Sequence, residues 1–121
     1  MILLDTSAVI WLERGHRRIR ALARRARRLD VSPASLLELQ LLIETGRIGL
    51  RAAIIATLAA DDRWLIDDPP AAAWFEACDL TWTRDPFDRL LVAHAQVRGW
   101  KFATADHALV ARLPASTLVA L

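Results

Sequence analysis

The stretch Ile2-Leu3-Leu4-Asp5-Thr6-Ser7-Ala8 joins an apolar run to an acid and two hydroxyl residues. A short apolar run that is closed by a polar residue is typical of a buried strand, here over residues 2–5. The two hydroxyl residues after Asp5 are favourable N-caps for the helical pattern that follows, and Gly15 is a suitable end for that helix. The stretch therefore predicts a strand that passes directly into a helix.

The same alternation continues along the chain, whose 121 residues suit a single domain over 1–121. Further strands are predicted at residues 30–32, 64–66, 101–104 and 117–121. Further helices are predicted at residues 16–29, 35–46, 50–60, 71–77, 86–98 and 108–113. Ser35 with Glu38 resembles a capping box, and Asp85-Pro86 is a helix-start signal. Alternating strands and helices predict an α/β fold, a parallel sheet with helices on both faces.

Positive charge is concentrated in one segment, although the formal net charge is only +2. Residues 14–28 hold eight of the 16 cations, namely Arg14, Arg17, Arg18, Arg20, Arg24, Arg25, Arg27 and Arg28. Apolar residues such as Ile19 and Leu22 recur between them at helical spacing, so helix 16–29 is expected to pack by one face. The arginine face is either a solvated surface or a binding surface for a phosphate backbone or an acidic protein.

Several classes of protein are disfavoured by composition. Cys78 is the only cysteine, so no intramolecular disulfide is possible, which fits a reducing cytoplasm. No stretch approaches the roughly 20 apolar residues of a membrane span, and the apolar run before Asp5 is too short for a signal peptide. Four glycines and no glycine-rich loop argue against a nucleotide-binding motif. We therefore expect a cytoplasmic protein without a membrane segment.

Four acids are predicted to meet at one edge of the sheet: Asp5, Glu38, Asp88 and Asp106. Ligands of parallel sheets bind beyond the carboxyl ends of the strands, and each acid follows a strand or begins a nearby helix. Two carboxylates about 6 Å apart repel by roughly 3 kcal/mol at an effective dielectric near 20, so a cluster calls for a cation. Oxygen ligands suit Mg²⁺, or Mn²⁺ as a substitute. Such an ion activates water and neutralises phosphate charge.

Each acid also has a purely structural interpretation. Asp5 and Asp106 can cap the helices that follow them, Glu38 can complete a capping box, and Asp88 suits the first turn of a helix. Asp85 is fully explained as a cap, so it is kept outside the ligand set, although it is a candidate for a supporting position beside the metal. The pairs Asp61-Asp62 and Asp67-Asp68 are interpreted as solvated loop acids.

The segments around these acids are more specific than the acids alone. In chain order they are Leu3-Leu4-Asp5-Thr6-Ser7-Ala8, Ser35-Leu36-Leu37-Glu38-Leu39, Arg84-Asp85-Pro86-Phe87-Asp88-Arg89-Leu90-Leu91-Val92-Ala93 and Thr104-Ala105-Asp106. Together they resemble the PIN-domain ribonucleases, in particular the VapC toxins of bacterial toxin–antitoxin pairs, over nearly the whole chain. One departure concerns Ser7, where a closely similar branch often carries His.

The resemblance implies a three-layer sandwich with a five-stranded parallel sheet, and a metal-dependent endoribonuclease that cleaves RNA by metal-activated water. It implies that Mg²⁺ or Mn²⁺ binds at the four acids, that Thr6 and Thr104 support the site, and that the partners are a cognate antitoxin and a second copy of the chain. The arginine-rich helix would then contact RNA or antitoxin. The alternative is a catalytically silent PIN-like module that recruits RNA or a protein. Haloacid-dehalogenase phosphatases and receiver domains fit less well, because the former need an Asp at position 7.

Overall fold

The strands and helices follow the predicted alternation in a computed structural model that describes residues 1–49, 56, 60, 62 and 64–121. The strands are β1 (Ile2–Leu4), β2 (Leu29–Val31), β3 (Leu65–Ile66), β4 (Lys101–Thr104) and β5 (Leu118–Ala120). The described helices are α1 (Thr6–Glu13), α2 (Arg17–Arg25), α3 (Pro33–Glu44), α4 (Ala71–Ala77), α5 (Pro86–Arg98) and α6 (His107–Arg112), with a 3₁₀ turn at Ala115–Thr117. None of these helices is long and apolar enough to cross a membrane. The helix predicted over 50–60 falls almost entirely outside the described residues, as does Asp61.

The sheet is parallel throughout, with the strand order β3-β2-β1-β4-β5. Central strand β1 aligns Leu4 with Val31 of β2 on one side and with Ala103 of β4 on the other. These three strands therefore end nearly level, at what is called the carboxyl edge below. The predicted α/β fold, with a five-stranded parallel sheet between two layers of helices, is confirmed.

Two apolar cores lie on opposite faces of the sheet because successive side chains of a strand point to opposite faces. Leu4 packs with residues of α1 and α2 in one core. Leu3 and Phe102 pack with residues of α5 and α6 in the other. Burying each of these large side chains contributes about 1.5–3 kcal/mol. The burial of both faces explains why central strand β1 is a continuous apolar run.

Two helix starts differ from the predictions by a few residues. The N-cap of α1 is Asp5 rather than either hydroxyl residue after it, and its carboxylate accepts a hydrogen bond from Ala8 N at 2.7 Å. Helix α3 begins one turn earlier than predicted, with Ser32 as its cap and Pro33 in its first turn. Proline favours the first helical position because it has no N–H to leave unpaired. Ser35 is therefore a buried residue inside the helix and not a cap.

The arginine-rich helix is shorter than the predicted 16–29. Helix α2 ends at Arg25 because Ala26 has an extended backbone, with φ of −75° and ψ of 134°. Leu29, predicted on the helix, instead starts β2 and pairs with Ile2. The helical spacing predicts Leu29 on the helix, but it is buried in the sheet instead, because tertiary packing overrides the local sequence pattern.

Asp67 was predicted to be a solvated loop acid, and this was wrong. Its side chain is only 11% exposed and accepts hydrogen bonds from Arg98 Nε at 2.8 Å and Nη2 at 3.0 Å. Fully buried His94 lies 2.7 Å away through Nε2. Burial would raise the pKa of Asp67, but these hydrogen bonds and the adjacent charges outweigh it and lower that pKa. The interaction fastens the segment after β3 to the C-terminal half of α5.

Candidate functional site

Five acids line one cleft at the carboxyl edge, which has a volume of about 180 Å³. They are the four predicted ligands and the acid that was kept apart as a cap: Asp5, Glu38, Asp88, Asp106 and Asp85. They come from the end of β1, the second turn of α3, the first turn of α5, the start of α6 and the start of α5. Residues far apart in sequence thus meet because the parallel strands end level at this edge.

Asp5 is the most firmly held of the acids. It is 7% exposed, its Oδ1 accepts from Ala8 N, and its Oδ2 accepts a hydrogen bond from the Thr104 hydroxyl. Burial raises the pKa of Asp5, the hydrogen bonds from Thr104 and Ala8 oppose that rise, and the charge of Asp106 adds to it. The carboxylate is therefore fixed in direction while its negative charge is costly.

Asp88 is the acid whose pKa is raised by burial and by the charges of all four other acids in the cleft. Burial and then the charges of its four neighbours raise its pKa from 3.8 to about 6. In order of size the charges are those of Asp85, Asp106, Glu38 and Asp5. At neutral pH Asp88 is mostly ionised but held in a strongly negative environment, which is the setting that a cation would relieve.

Glu38 is partly buried and faces the same negative charge. Burial raises its pKa, the Thr6 hydroxyl opposes the rise, and the charges of Asp85 and Asp5 add to it. The hydroxyls of Thr6 and Ser35 are hydrogen-bonded to each other at 3.1 Å. Ser35 was not predicted as a site residue, although it lies three positions before Glu38 and hence on the same face of α3.

Asp85 is a helix cap as predicted, Asp106 also caps a helix as its alternative interpretation had it, and both border the cleft. Oδ1 of Asp85 accepts from the backbone N–H groups of Phe87 at 2.8 Å and Asp88 at 3.0 Å. Oδ1 of Asp106 likewise accepts from two backbone N–H groups of α6, at 2.8 Å and 3.1 Å. Thr104 links the two sides of the cleft, because its hydroxyl donates to Asp5 and accepts from Asp106 N at 3.0 Å.

The donors in the cleft are suited to a hard cation that keeps part of its water. They are carboxylate oxygens, which Mg²⁺ and Mn²⁺ prefer. Within the described part of the chain, no three His, Cys, Asp or Glu side chains are close enough to form a complete metal cage. Mg²⁺ does not require one, since it commonly binds through one or two carboxylates and retains several waters. The donor chemistry therefore fits a partly hydrated ion.

Comparison with known proteins agrees with this architecture. A family model described as PIN domain matches residues 2–114. No curated protein sequence matches the chain.

Three solved structures have a similar fold. A toxin–antitoxin complex from Klebsiella pneumoniae has a TM-score of 0.73 at 17% identity, covering 98% of this chain and 96% of that chain. VapBC2 from Rickettsia felis, bound to a DNA fragment from its promoter, has a TM-score of 0.69 at 18% identity, with coverage of 100% and 99%. FitAcB from Neisseria gonorrhoeae has a TM-score of 0.59 at 21% identity, with 88% of both chains covered. The family match extends over nearly the whole chain, and the chain belongs to the PIN domain family.

Proposed function

We propose that the chain, as a single domain over residues 1–121, is an Mg²⁺- or Mn²⁺-dependent endoribonuclease and the toxin of a VapBC-type pair. The observation that carries this proposal is the single cleft of about 180 Å³ that five acids line, and the pKa of Asp88, raised to about 6 by burial and the other four carboxylates, agrees with it. So much negative charge in one cleft is unfavourable for a purely structural role. A PIN domain with such a cleft is best explained as a metal-dependent nuclease.

The proposed ligands are Asp5, Glu38, Asp88 and Asp106, which would hold the ion directly or through the waters that it retains. When bound, the cation supplies an acidified water and neutralises negative charge on the scissile phosphate. The protein's part is to hold the oxygens in place. Thr104 fixes Asp5 from the side opposite its capping bond to Ala8, so both oxygens of that carboxylate have set directions.

The wall of the cleft strengthens the electrostatic interactions. Leu91 and Leu109 line it together with the acids and are only 3% exposed. Apolar side chains behind the carboxylates exclude water and lower the effective dielectric, so that attraction for a cation is larger than on an open surface. Asp85, which also lines the cleft, adds negative charge there and is proposed as a supporting residue.

Cleavage of RNA by the purified chain tests the proposal. We expect cleavage with Mg²⁺ or Mn²⁺, none with a chelator, and loss of most activity in Asp5→Asn and Asp88→Asn. Asp79→Asn is the matched control, because Asp79 is an exposed acid outside the cleft. Cleavage that survives in chelator, or in both cleft variants, would show that the carboxylates are not the site.

Metal binding is measured separately from cleavage by thermal unfolding. A ligand that binds only the folded chain raises the midpoint of unfolding with its concentration. Mg²⁺ is expected to raise the midpoint of the wild type and of Asp79→Asn, but much less that of Asp88→Asn. An RNA-binding chain that neither cleaves nor responds to metal would support the alternative of a silent binding module.

The antitoxin and the second copy of the chain are proposed as partners. Similar solved structures include toxin–antitoxin complexes, which supports an antitoxin here. Exposed apolar side chains offer surfaces for both partners: Leu37 is 55% exposed and Leu41 is 41% exposed on α3, and Phe75 is 83% exposed on α4. The helix predicted over residues 50–60 would add further apolar side chains to these surfaces. Its residues Ile54, Ile55 and Leu58 lie outside the described residues.

Two variants separate these surfaces. The mass of the chain in solution is measured by light scattering, and an antitoxin encoded beside the gene is co-expressed and co-purified. Phe75→Ser is expected to weaken self-association, and Leu37→Ser with Leu41→Ser is expected to weaken retention of the antitoxin. A monomeric wild type would refute the homodimer, whereas a toxin that retains no co-expressed antitoxin would refute the pairing.

A further inference from the structure

One face of α2 carries arginines that form no ion pair with an acid among the described residues. Arg17, Arg20 and Arg24 line a groove of about 300 Å³ with Ala21 between them. Ile19 and Leu22 point the other way into the core. Arg28, by contrast, is engaged with buried Asp30 at 2.6 Å. The groove arginines are thus held on a packed helix, and no acid in the described part of the chain neutralises them.

The groove arginines are spaced along the helix axis, so that they could contact successive negative charges of an extended chain. With a rise of 1.5 Å per residue, Arg17 and Arg24 lie about 10 Å apart along the helix axis. Ala21 has a small side chain, so a polymer backbone can approach the helix between the arginines. Outside residues 14–28 the chain carries 14 acids and eight bases, so this face is the one strongly basic part of the sequence.

An aromatic platform adjoins the arginines at the start of α2. The rings of Trp11 and His16 are stacked, with centroids 4.4 Å apart and an angle of 16° between planes. His16 is exposed, and its Nδ1 accepts a hydrogen bond of 3.2 Å from Arg18 N as the helix cap. Sequence spacing does not indicate this platform, because Trp11 and His16 lie on either side of the turn between α1 and α2.

We propose that the α2 groove and the His16–Trp11 stack together bind single-stranded RNA at a distance from the acidic cleft. Helix α1 starts beside Asp5 and runs eight residues, about 12 Å, towards His16. Arginine side chains neutralise phosphates, and an exposed ring on a fixed support stacks a base. An acidic protein segment would use the arginines but has no use for the ring, so the observations favour RNA. The proposal rests on the proposed function in naming RNA as the substrate that this surface retains.

Binding is measured in chelator, by fluorescence anisotropy of a labelled 12-nucleotide oligoadenylate, so that failure of the proposed cleavage does not affect the result. The full chain is compared with Arg20→Ala/Arg24→Ala and with a control that removes two exposed bases elsewhere, Lys101→Ala/Arg112→Ala. Each phosphate contact on a single strand contributes about 0.7 to the slope of log affinity against log salt. The groove variant is expected to lose about 1.4 of slope, or about 25-fold in affinity near 0.1 M salt.

The platform is tested by His16→Asn, which removes the ring and offers an amide oxygen in place of Nδ1 as the acceptor of the helix cap. Loss of one stacked base is expected to weaken binding about fivefold or more, with the salt slope unchanged. A labelled peptide of 12 glutamates is the second probe, and His16→Asn is expected not to affect its binding.

Three results would overturn the proposal. The first is equal RNA binding by the groove variant and its control. The second is RNA binding unchanged in His16→Asn. The third is tighter binding of oligoglutamate than of RNA, which would assign the groove to an acidic protein. Circular dichroism of every variant verifies that its helix content equals that of the wild type.

Discussion

Removing the charge of Asp88 is expected to stabilise the metal-free protein while abolishing its activity. Asp88→Asn keeps the shape of the side chain and removes a carboxylate whose pKa is raised from 3.8 to about 6. A carboxyl pKa that is higher in the folded state means that ionisation favours unfolding. The protonated carboxyl group of Asp88 therefore stabilises the folded state. This contribution is complete below pH 3.8 and is lost as the pH rises through about 6.

The size of the effect follows from the same two pKa values. At 1.36 kcal/mol per pKa unit, the difference between 3.8 and about 6 corresponds to about 3 kcal/mol. Asp88 is only partly buried, so solvent screening reduces this to about 1.5 kcal/mol at pH 8. At pH 5 only about half of the effect has developed. Urea unfolding in chelator at pH 5 and pH 8 measures both values.

Two features make the comparison specific to Asp88. Burial lowers the pKa of His94, so its contribution to stability runs the other way and is lost as the pH falls below about 6.5. The wild type and Asp88→Asn both contain His94, so its contribution cancels when their free energies of unfolding are subtracted. Asp79→Asn, an exposed acid outside the cleft, is expected to change stability by less than about 0.5 kcal/mol. A cleft variant that is less stable than wild type at pH 8, or whose advantage does not grow from pH 5 to pH 8, refutes the reasoning.

Three further predictions concern single contacts. Thr104→Val removes the hydroxyl that holds Asp5 and should weaken Mg²⁺ binding about 10- to 100-fold, measured by titration calorimetry, whereas Thr104→Ser should not. Asp67→Asn leaves Arg98 without its ionic partner and should destabilise the fold by about 2 kcal/mol in urea, with no effect on Mg²⁺ affinity. Ser32→Ala removes the observed cap of α3 and should cost about 1 kcal/mol, and a fully neutral result in urea would favour the later helix start instead.

The fold could be predicted because its signals are local and repeated. Apolar runs too short for helices alternate with helical patterns, and Gly99 ends α5 with a φ of 68°, where a residue without Cβ is favoured. The predictions were wrong where a contact with a distant part of the chain determines the position of a residue. Leu29 has helical spacing but pairs with Ile2, and Asp67 looks like a loop acid until α5 brings His94 and Arg98 beside it.

The candidate site was predictable to a different degree. The four proposed ligands were predicted from their positions relative to strands and helices together with the resemblance to PIN-domain ribonucleases, and the structure brings them together with Asp85 in one cleft. The roles of Ser35 and of the Trp11–His16 stack were not predictable, since each depends on the angle between two helices. Sequence spacing shows which residues share a helix face, but not which face meets another element.

Capping and metal binding are not competing interpretations of these acids. Asp85 and Asp106 each accept backbone hydrogen bonds through Oδ1, as Asp5 does from Ala8. In a parallel sheet the helix N-termini and the strand ends meet at the same edge, so an acid that caps a helix is already placed at the ligand-binding edge. An Asp→Asn change retains an oxygen for the cap while removing the charge. Cleft variants of this kind should therefore retain the fold, and a loss of cleavage in them can be assigned to the missing charge.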